Sequence, residues 1–204
     1  MNRLLRLVSV FVVMAFVHPQ SAAAQSADPR FQAGAHLATV VSSEFDETEV
    51  GAGARLSWHP GALLGVEAEV TVYPGDLGQG VSFSAGRFEG LFGATVGPRF
   101  GAIRPFAKLR PGFVRVREAP EPVACILIFP PPLTCQLAGG TTLFALDVGG
   151  GVEWFPSAGT WVRVDAGDRM VRYPAPAIDS SGTVRDDSFT GHDFRFTIGG
   201  GVRF

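Results

Sequence analysis

Residues 63–73, LLGVEAEVTVY, put Leu64, Val66, Ala68, Val70 and Val72 at the even positions and Gly65, Glu67, Glu69, Thr71 and Tyr73 at the odd ones. A period of two is the repeat of a β-strand, whose successive side chains leave opposite faces. The same alternation recurs to the last residue. No segment keeps apolar residues at helical spacing beyond a turn or two, and 26 glycines and 15 prolines interrupt the chain. Eight strands are predicted, over 31–43, 50–59, 63–73, 86–100, 104–118, 141–155, 160–173 and 192–204.

The links between these strands alternate in length. Three are tight and rich in Gly or Pro: His59-Pro60-Gly61-Ala62, Gly101-Ala102-Ile103 and Pro156-Ser157-Ala158-Gly159. The other four, 44–49, 74–85, 119–140 and 174–191, are read as long. Short turns at one end and long loops at the other mark an up-and-down barrel that crosses an outer membrane. The N-terminus agrees. A basic start, MNRLLR, precedes the apolar run 7–17 and a small-residue stretch with Ala22 and Ala24 at an A-x-A site. This is the layout of a secretory signal peptide, and the run is too short for a membrane anchor. The organisation expected is a signal peptide over 1–24 and one barrel domain over 25–204.

Strand faces carry the same message. Phe88, Phe92, Ala94, Val96 and Phe100 oppose Arg87, Glu89, Thr95 and Arg99, and Phe144, Leu146, Val148, Val152 and Trp154 oppose Asp147 and Glu153. In a membrane barrel the apolar face meets lipid and the charged face fills the lumen. Parity therefore sends inward a network of Arg55, Glu67, Glu69, Arg87, Glu89, Arg99, Lys108, Arg110, Asp147, Glu153, Arg163, Asp165, Arg195 and Arg203, with His36 as a hydrogen-bonded neighbour. Eight strands leave a bore that side chains fill, so a packed polar core is expected before a pore. Two stretches strain the rule. Arg115 and Arg117 have the opposite parity to Lys108 and Arg110, and a bulge at Pro111-Gly112 would bring all four inside. Asp168 and Arg172 take the lipid parity, either because they lie near the long-loop end or because the strand changes phase at Gly167.

The chain ends in TIGGGVRF, with Thr197, Gly199, Val202 and Phe204 spaced as polar, glycine, apolar and terminal aromatic. This resembles the C-terminal signal of outer-membrane barrels, which implies reading by the barrel-assembly machinery and a closing strand. The glycines are then strand residues that admit close neighbours. Strand count and loop order resemble the small eight-stranded barrels of the OmpA/OmpX type. Residues 96–116 and 149–168 also look like hairpins of the uncharacterised "outer membrane beta-barrel" proteins. The resemblance implies an all-β fold, an eight-stranded antiparallel up-and-down transmembrane β-barrel, in the outer membrane of a Gram-negative-type bacterium. It implies no activity.

Other signals are modest. Lys+Arg total 17 against Asp+Glu 19, or 15 against 19 without Arg3 and Arg6 of the leader, and no basic cluster points to nucleic acid. Cys125 and Cys135 stand ten apart in a Pro-rich loop, and in an exported chain a disulfide is expected, worth about 2–3 kcal/mol by loop closure. Two thiols with no nearby His make a poor metal set. Inside that loop Ile126, Leu127, Ile128 and Phe129 form an apolar cluster, read as a cap over the barrel mouth or a contact with a partner or lipid. The acidic EFDETE is read as a solvated or divalent-bridged loop beside lipopolysaccharide. His192-Asp193, with Asp187 and Ser188 nearby, matches no known motif of lipid A deacylases, and the triple glycine 149–151 lacks the strand-to-helix setting of a nucleotide loop. The expectation is a monomeric barrel without enzyme activity or cofactor. It would contact outer-membrane lipid and lipopolysaccharide and serve a structural or surface-binding role through its loops. A narrow passive pore is the alternative, and a lipid-modifying enzyme a distant third.

Overall fold

The computed structural model describes residues 30–45, 47–74, 86–118, 129–179 and 181–204. The predicted signal peptide, and Cys125 with Ile126–Ile128, lie outside the described residues. Eight long strands form one closed antiparallel barrel: β1 (Phe31–Ser42), β2 (Glu47–Trp58), β3 (Leu64–Tyr73), β4 (Arg87–Val96), β5 (Ile103–Val116), β6 (Thr141–Ser157), β7 (Thr160–Tyr173) and β10 (Phe189–Arg203). Each pairs with its neighbour in sequence, and β10 returns to β1. Gln32 opposes Arg203 and Ser42 opposes Asp193 across that seam. Beyond it the backbones of Phe31 and Phe204 exchange two hydrogen bonds of 2.9 Å, and their rings stack. The start of β1 and the residue just past β10 thus meet.

The strands invert the soluble arrangement. Leu37, Leu56, Phe92, Leu109, Phe144 and Phe194 face outward and are more than half exposed, whereas Arg55, Glu67, Arg110, Asp147, Arg163 and Arg195 are buried inside. The covalent reason is the pleat: with strict alternation, one face of every strand must go inside, and here that face is polar. Trp161, with Phe106 and Phe155, is an aromatic exception within the polar end of the lumen. Its indole lies over Gly34, where an added Cβ would come within 2.6 Å of the ring. Gly201 opposes both residues across the β1–β10–β7 rows. The terminal glycines are indeed strand residues, and Gly201 would drive a Cβ into the backbone of Ala33 and Gly34.

The strands and their links differ from expectation in two places, and at a third the structure decides between two alternatives. The first long-loop link is a tight turn at 43–45 leading to Glu47, so Glu47 and Glu49 of the acidic stretch belong to β2. No bulge interrupts β5 at Pro111-Gly112. The register with β6 runs unbroken from Ile103↔Trp154 to Val116↔Thr141, so Val114 and Val116 point inward and Arg115 and Arg117 outward. The charges were free to point outward because they stand near the strand end, and the inward positions are claimed by an apolar cluster described below. Nor does β7 change phase at Gly167: Asp168 and Arg172 keep the outward parity near the long-loop end. The long loops also carry structure of their own, a short helix α1 (Leu133–Ala138) after β5 and a small hairpin of β8 (Ala177–Ile178) with β9 (Val184–Arg185) after β7.

Candidate functional site: the lumen and its two mouths

Arg110 is the hub of the lumen. Wholly buried, it donates through Nε to Asp147 at 2.9 Å and through Nη1 to Glu67 at 3.1 Å and Glu69 at 2.9 Å, with Asp165 3.5 Å from Nη2. Arg163 grips Glu67 with two bonds of 2.6 and 3.1 Å and Asp165 with one of 2.8 Å. Arg55 reaches Glu69 at 2.7 Å, Lys108 bridges Asp147 and Asp165, and Arg195 contacts Glu69 and Glu89. Towards the long-loop end Arg169 lies between Glu89 at 2.8 Å and Asp193 at 2.7 Å, and Arg87 pairs with Glu49. Towards the short-turn end Arg104 meets Glu153 at 3.1 Å.

Apart from Arg203 at the short-turn mouth, the buried charges of the lumen balance. Arg55, Arg87, Arg104, Lys108, Arg110, Arg163, Arg169 and Arg195 stand against Glu49, Glu67, Glu69, Glu89, Asp147, Glu153, Asp165 and Asp193, all buried. Ions removed from water are costly unless each finds several partners, and here most carboxylates are shared between two or more cations. Mixed signs on neighbouring strands make this possible: Arg55 opposes Glu69 on β3, and Glu153 opposes both Arg104 on β5 and Arg163 on β7.

The predicted inward set is brought together except at its edges. Arg203 lies at the short-turn mouth with its guanidinium 4.3 Å from the centre of the Phe155 ring. Arg99 is only half-buried at the same rim, where it donates to the Gly101 carbonyl at 3.0 Å and lies 4.6 Å from the same ring. His36 bonds Thr71 at 2.9 Å. Four members were missed: Glu49, Arg104, Arg169 and Asp193. Three of them share parity with predicted neighbours, Arg104 with Lys108, Arg169 with Asp165 and Asp193 with Arg195, so the signal was present. They stand near strand ends, where an inward ion reads as a rim residue.

The long-loop mouth is different in kind. Val114, Val116, Leu91, Leu143, Ala145, Val171 and Tyr173 form an apolar cluster with Leu133, Leu137 and Ala138 of α1 and with Ala177. Phe189 stacks on Tyr173 at 5.3 Å. The two structured loops are tied together, since Ile178 donates its backbone N–H to the Pro131 carbonyl and Gln136 bonds the Pro176 carbonyl at 2.6 Å. In the β8–β9 turn Asp179 accepts from Ser181 at 2.6 Å, from the Thr183 N–H and from Arg185. The Ser181 hydroxyl above all, with those other donors, holds this carboxyl below its ordinary value of 3.8. The capping residues in the described part of this loop are therefore Leu133 and Leu137. Phe129, the described member of the predicted apolar cluster, is 85% exposed instead. Among the described residues there is no free cysteine; Cys135 lies on α1.

On the outer surface near this mouth, His192 Nδ1 lies 2.8 Å from Asp168, and Arg172 bonds Ser188 at 2.5 Å. Ser188 is thus engaged by Arg172, and no nucleophile–base pair is formed between it and His192.

Neither a protein-family model nor a curated protein matches the sequence. Solved structures do match in fold. Neisserial surface protein A is 16% identical with a TM-score of 0.54, over 89% of this chain and all of that one. The outer membrane protein OprG of Pseudomonas aeruginosa is 14% identical with a TM-score of 0.54, over 86% of this chain and 96% of that one. With its closed ring of eight antiparallel strands, the chain has the fold of the small outer-membrane β-barrels.

Proposed function

We propose that the protein is a closed outer-membrane barrel whose lumen is a structural core and whose function lies at its long-loop, extracellular end. The observation that carries this reading is the lumen, where Arg110, Asp147 and Arg195 have no exposed surface, paired charges fill the middle of the bore and an apolar cluster closes the long-loop mouth. An eight-stranded bore packed in this way leaves no water-filled path. The exposed Leu and Phe face supports a lipid environment, and the solved barrels of the same fold support the outer membrane. On this reading residues 1–24 direct export, and Thr197, Gly199, Val202 and Phe204 are read by the barrel-assembly machinery. A Cys125–Cys135 disulfide closes the loop that carries α1. The outward Arg115, Arg117 and Arg172 stand near the extracellular strand ends, where lipopolysaccharide phosphates would meet them, and Phe129 offers an apolar contact to a surface partner.

The test is heat-modifiable gel mobility in detergent, followed by single-channel recording on the folded form. Folded protein without steady conductance is the expected result. A steady small conductance that disappears on changing Arg87 or Glu89 would establish the pore instead, and solubility without detergent would remove the membrane reading.

A further inference from the structure

The outward positions of β7 begin as Val162, Val164 and Ala166 and turn polar at Asp168, before the strand ends. Asp168 opposes Val148 on β6 and Phe194 on β10, both outward and apolar. A carboxylate on the lipid-facing side of a barrel wall is costly unless polar groups meet it there. Among the described residues its one partner is His192, whose Nδ1 donates to Oδ2 at 2.8 Å. The Asp168 side chain is still 45% exposed and that of His192 60%. The second carboxylate oxygen therefore remains open to a donor from outside the protein.

Arg172 stands on the same face of β7, nearer the long loops by about 13 Å of strand. It opposes Thr190 and donates to that hydroxyl at 3.2 Å and to the Ser188 hydroxyl at 2.5 Å. Among the described residues it meets no carboxylate. His192 lies between the two levels, since it opposes Met170. The patch thus has an order along the wall. A cation is outermost, an imidazole follows, and a hydrogen-bond acceptor is deepest, with apolar side chains on either flank.

We infer that this part of the β7–β10 wall holds one molecule of a phosphorylated glycolipid of the lipopolysaccharide type, an inference that rests on the outer-membrane reading above. The guanidinium of Arg172 suits the phosphate. What lies beneath the phosphate decides the class of lipid. A glycerophospholipid has ester groups there, which only accept hydrogen bonds, and its amine or hydroxyl donors lie at or outside the phosphate. A glucosamine-based lipid has amide N–H and hydroxyl donors beneath its phosphate, at the depth of Asp168. An ionised carboxylate only accepts, so Asp168 complements the second kind and has nothing to take from the first. His192 fixes the carboxylate by its Nδ1 bond, and its Nε2 remains available to the sugar.

Native mass spectrometry of the folded protein, released from micelles holding equal amounts of rough lipopolysaccharide and phosphatidylglycerol, tests this. One glycolipid per barrel is expected, in about tenfold preference to phosphatidylglycerol, the worth of one hydrogen bond to a charged group. Asp168→Leu removes a charge from the outer face and leaves the lumen untouched. It is expected to bring the two lipids to near-equal retention with heat-modifiable mobility unchanged. Arg172→Gln is expected to weaken retention of both. A preference that survives in Asp168→Leu, or phosphatidylethanolamine retained as well as the glycolipid, would overturn the inference and leave the outer-membrane reading intact. A dimer that forms without glycolipid and is lost in Asp168→Leu would overturn it in favour of a second copy of the chain. Solubility without detergent would remove the outer-membrane reading and this inference together.

Discussion

The middle of the lumen and its long-loop mouth are built on the same strands and the same parity, yet they are held by opposite physics. Around Arg110 the inward side chains are mostly ions and hydrogen-bonding groups; at the long-loop mouth Leu91, Val114 and Val116 join an apolar cluster packed beneath α1. The apolar region gains free energy from each methylene it buries, and loses it smoothly as groups are trimmed. The ionic region gains little net from its pairs but loses heavily when one partner is taken away, because the others remain buried and uncompensated. One interior is tolerant of erosion and the other is not.

That contrast is most directly broken at the hub. Arg110→Ala leaves Glu67, Glu69, Asp147 and Asp165 without their shared cation and is expected to lower stability by about 3–5 kcal/mol, read from urea unfolding in detergent or lipid. A loss below about 1 kcal/mol would mean that water or neighbouring cations reach the site. Leu137→Ala in the mouth is expected to cost about 2–4 kcal/mol at most, since the loop above can settle into the space, and to leave the barrel non-conducting because the ions below remain. Conductance in that variant would show that the apolar layer is the seal. Gly34→Val tests the apolar residue lodged in the ionic end. Its added Cβ would press on the Gly200 carbonyl of the neighbouring strand as well as on the Trp161 ring, and is expected to cost at least about 1–3 kcal/mol, with a shift in tryptophan emission.

The smallest effect belongs to the outer hairpin. Asp179 has its carboxyl held below 3.8, so the β8–β9 turn keeps that contribution above the ordinary value and loses it as pH falls through the depressed one. Hydrogen exchange of the Thr183 amide should quicken below pH 3.8 relative to the barrel strands. Protection that stays constant there would assign the turn's order to the Pro131–Ile178 contact instead.

The barrel was legible because parity is a local property repeated eight times, and lumen positions in mid-strand follow from it directly. Glu49 was hidden because it lies in a run of acidic residues that reads as a solvated loop, whereas its register on β2 turns it towards Arg87. The inward course of Val114 and Val116 was hidden for another reason. Keeping all charges inside requires a bulge, whereas the partners of these valines are Leu133 and Leu137, contributed by a loop helix later in the chain. No strand pattern encodes that contact.

One strand of the eight differs from the rest. β1 offers the lumen Gln32, Gly34, His36, Ala38, Val40 and Ser42, and no Asp, Glu, Lys or Arg among them, whereas each of the other seven brings at least one ion. The ionic network therefore draws no carboxylate, guanidinium or ammonium from β1. The final zipping of the ring, from Ser42 and Asp193 down to Phe31 and Phe204, proceeds without a β1 carboxylate or guanidinium having to shed its water. By the same logic, a sideways parting of the wall would begin at this seam, where separating the strands exposes backbone and β1 carries no carboxylate or guanidinium to be pulled from a partner, its polar contacts to β3 being those of His36 with Thr71 and Glu69.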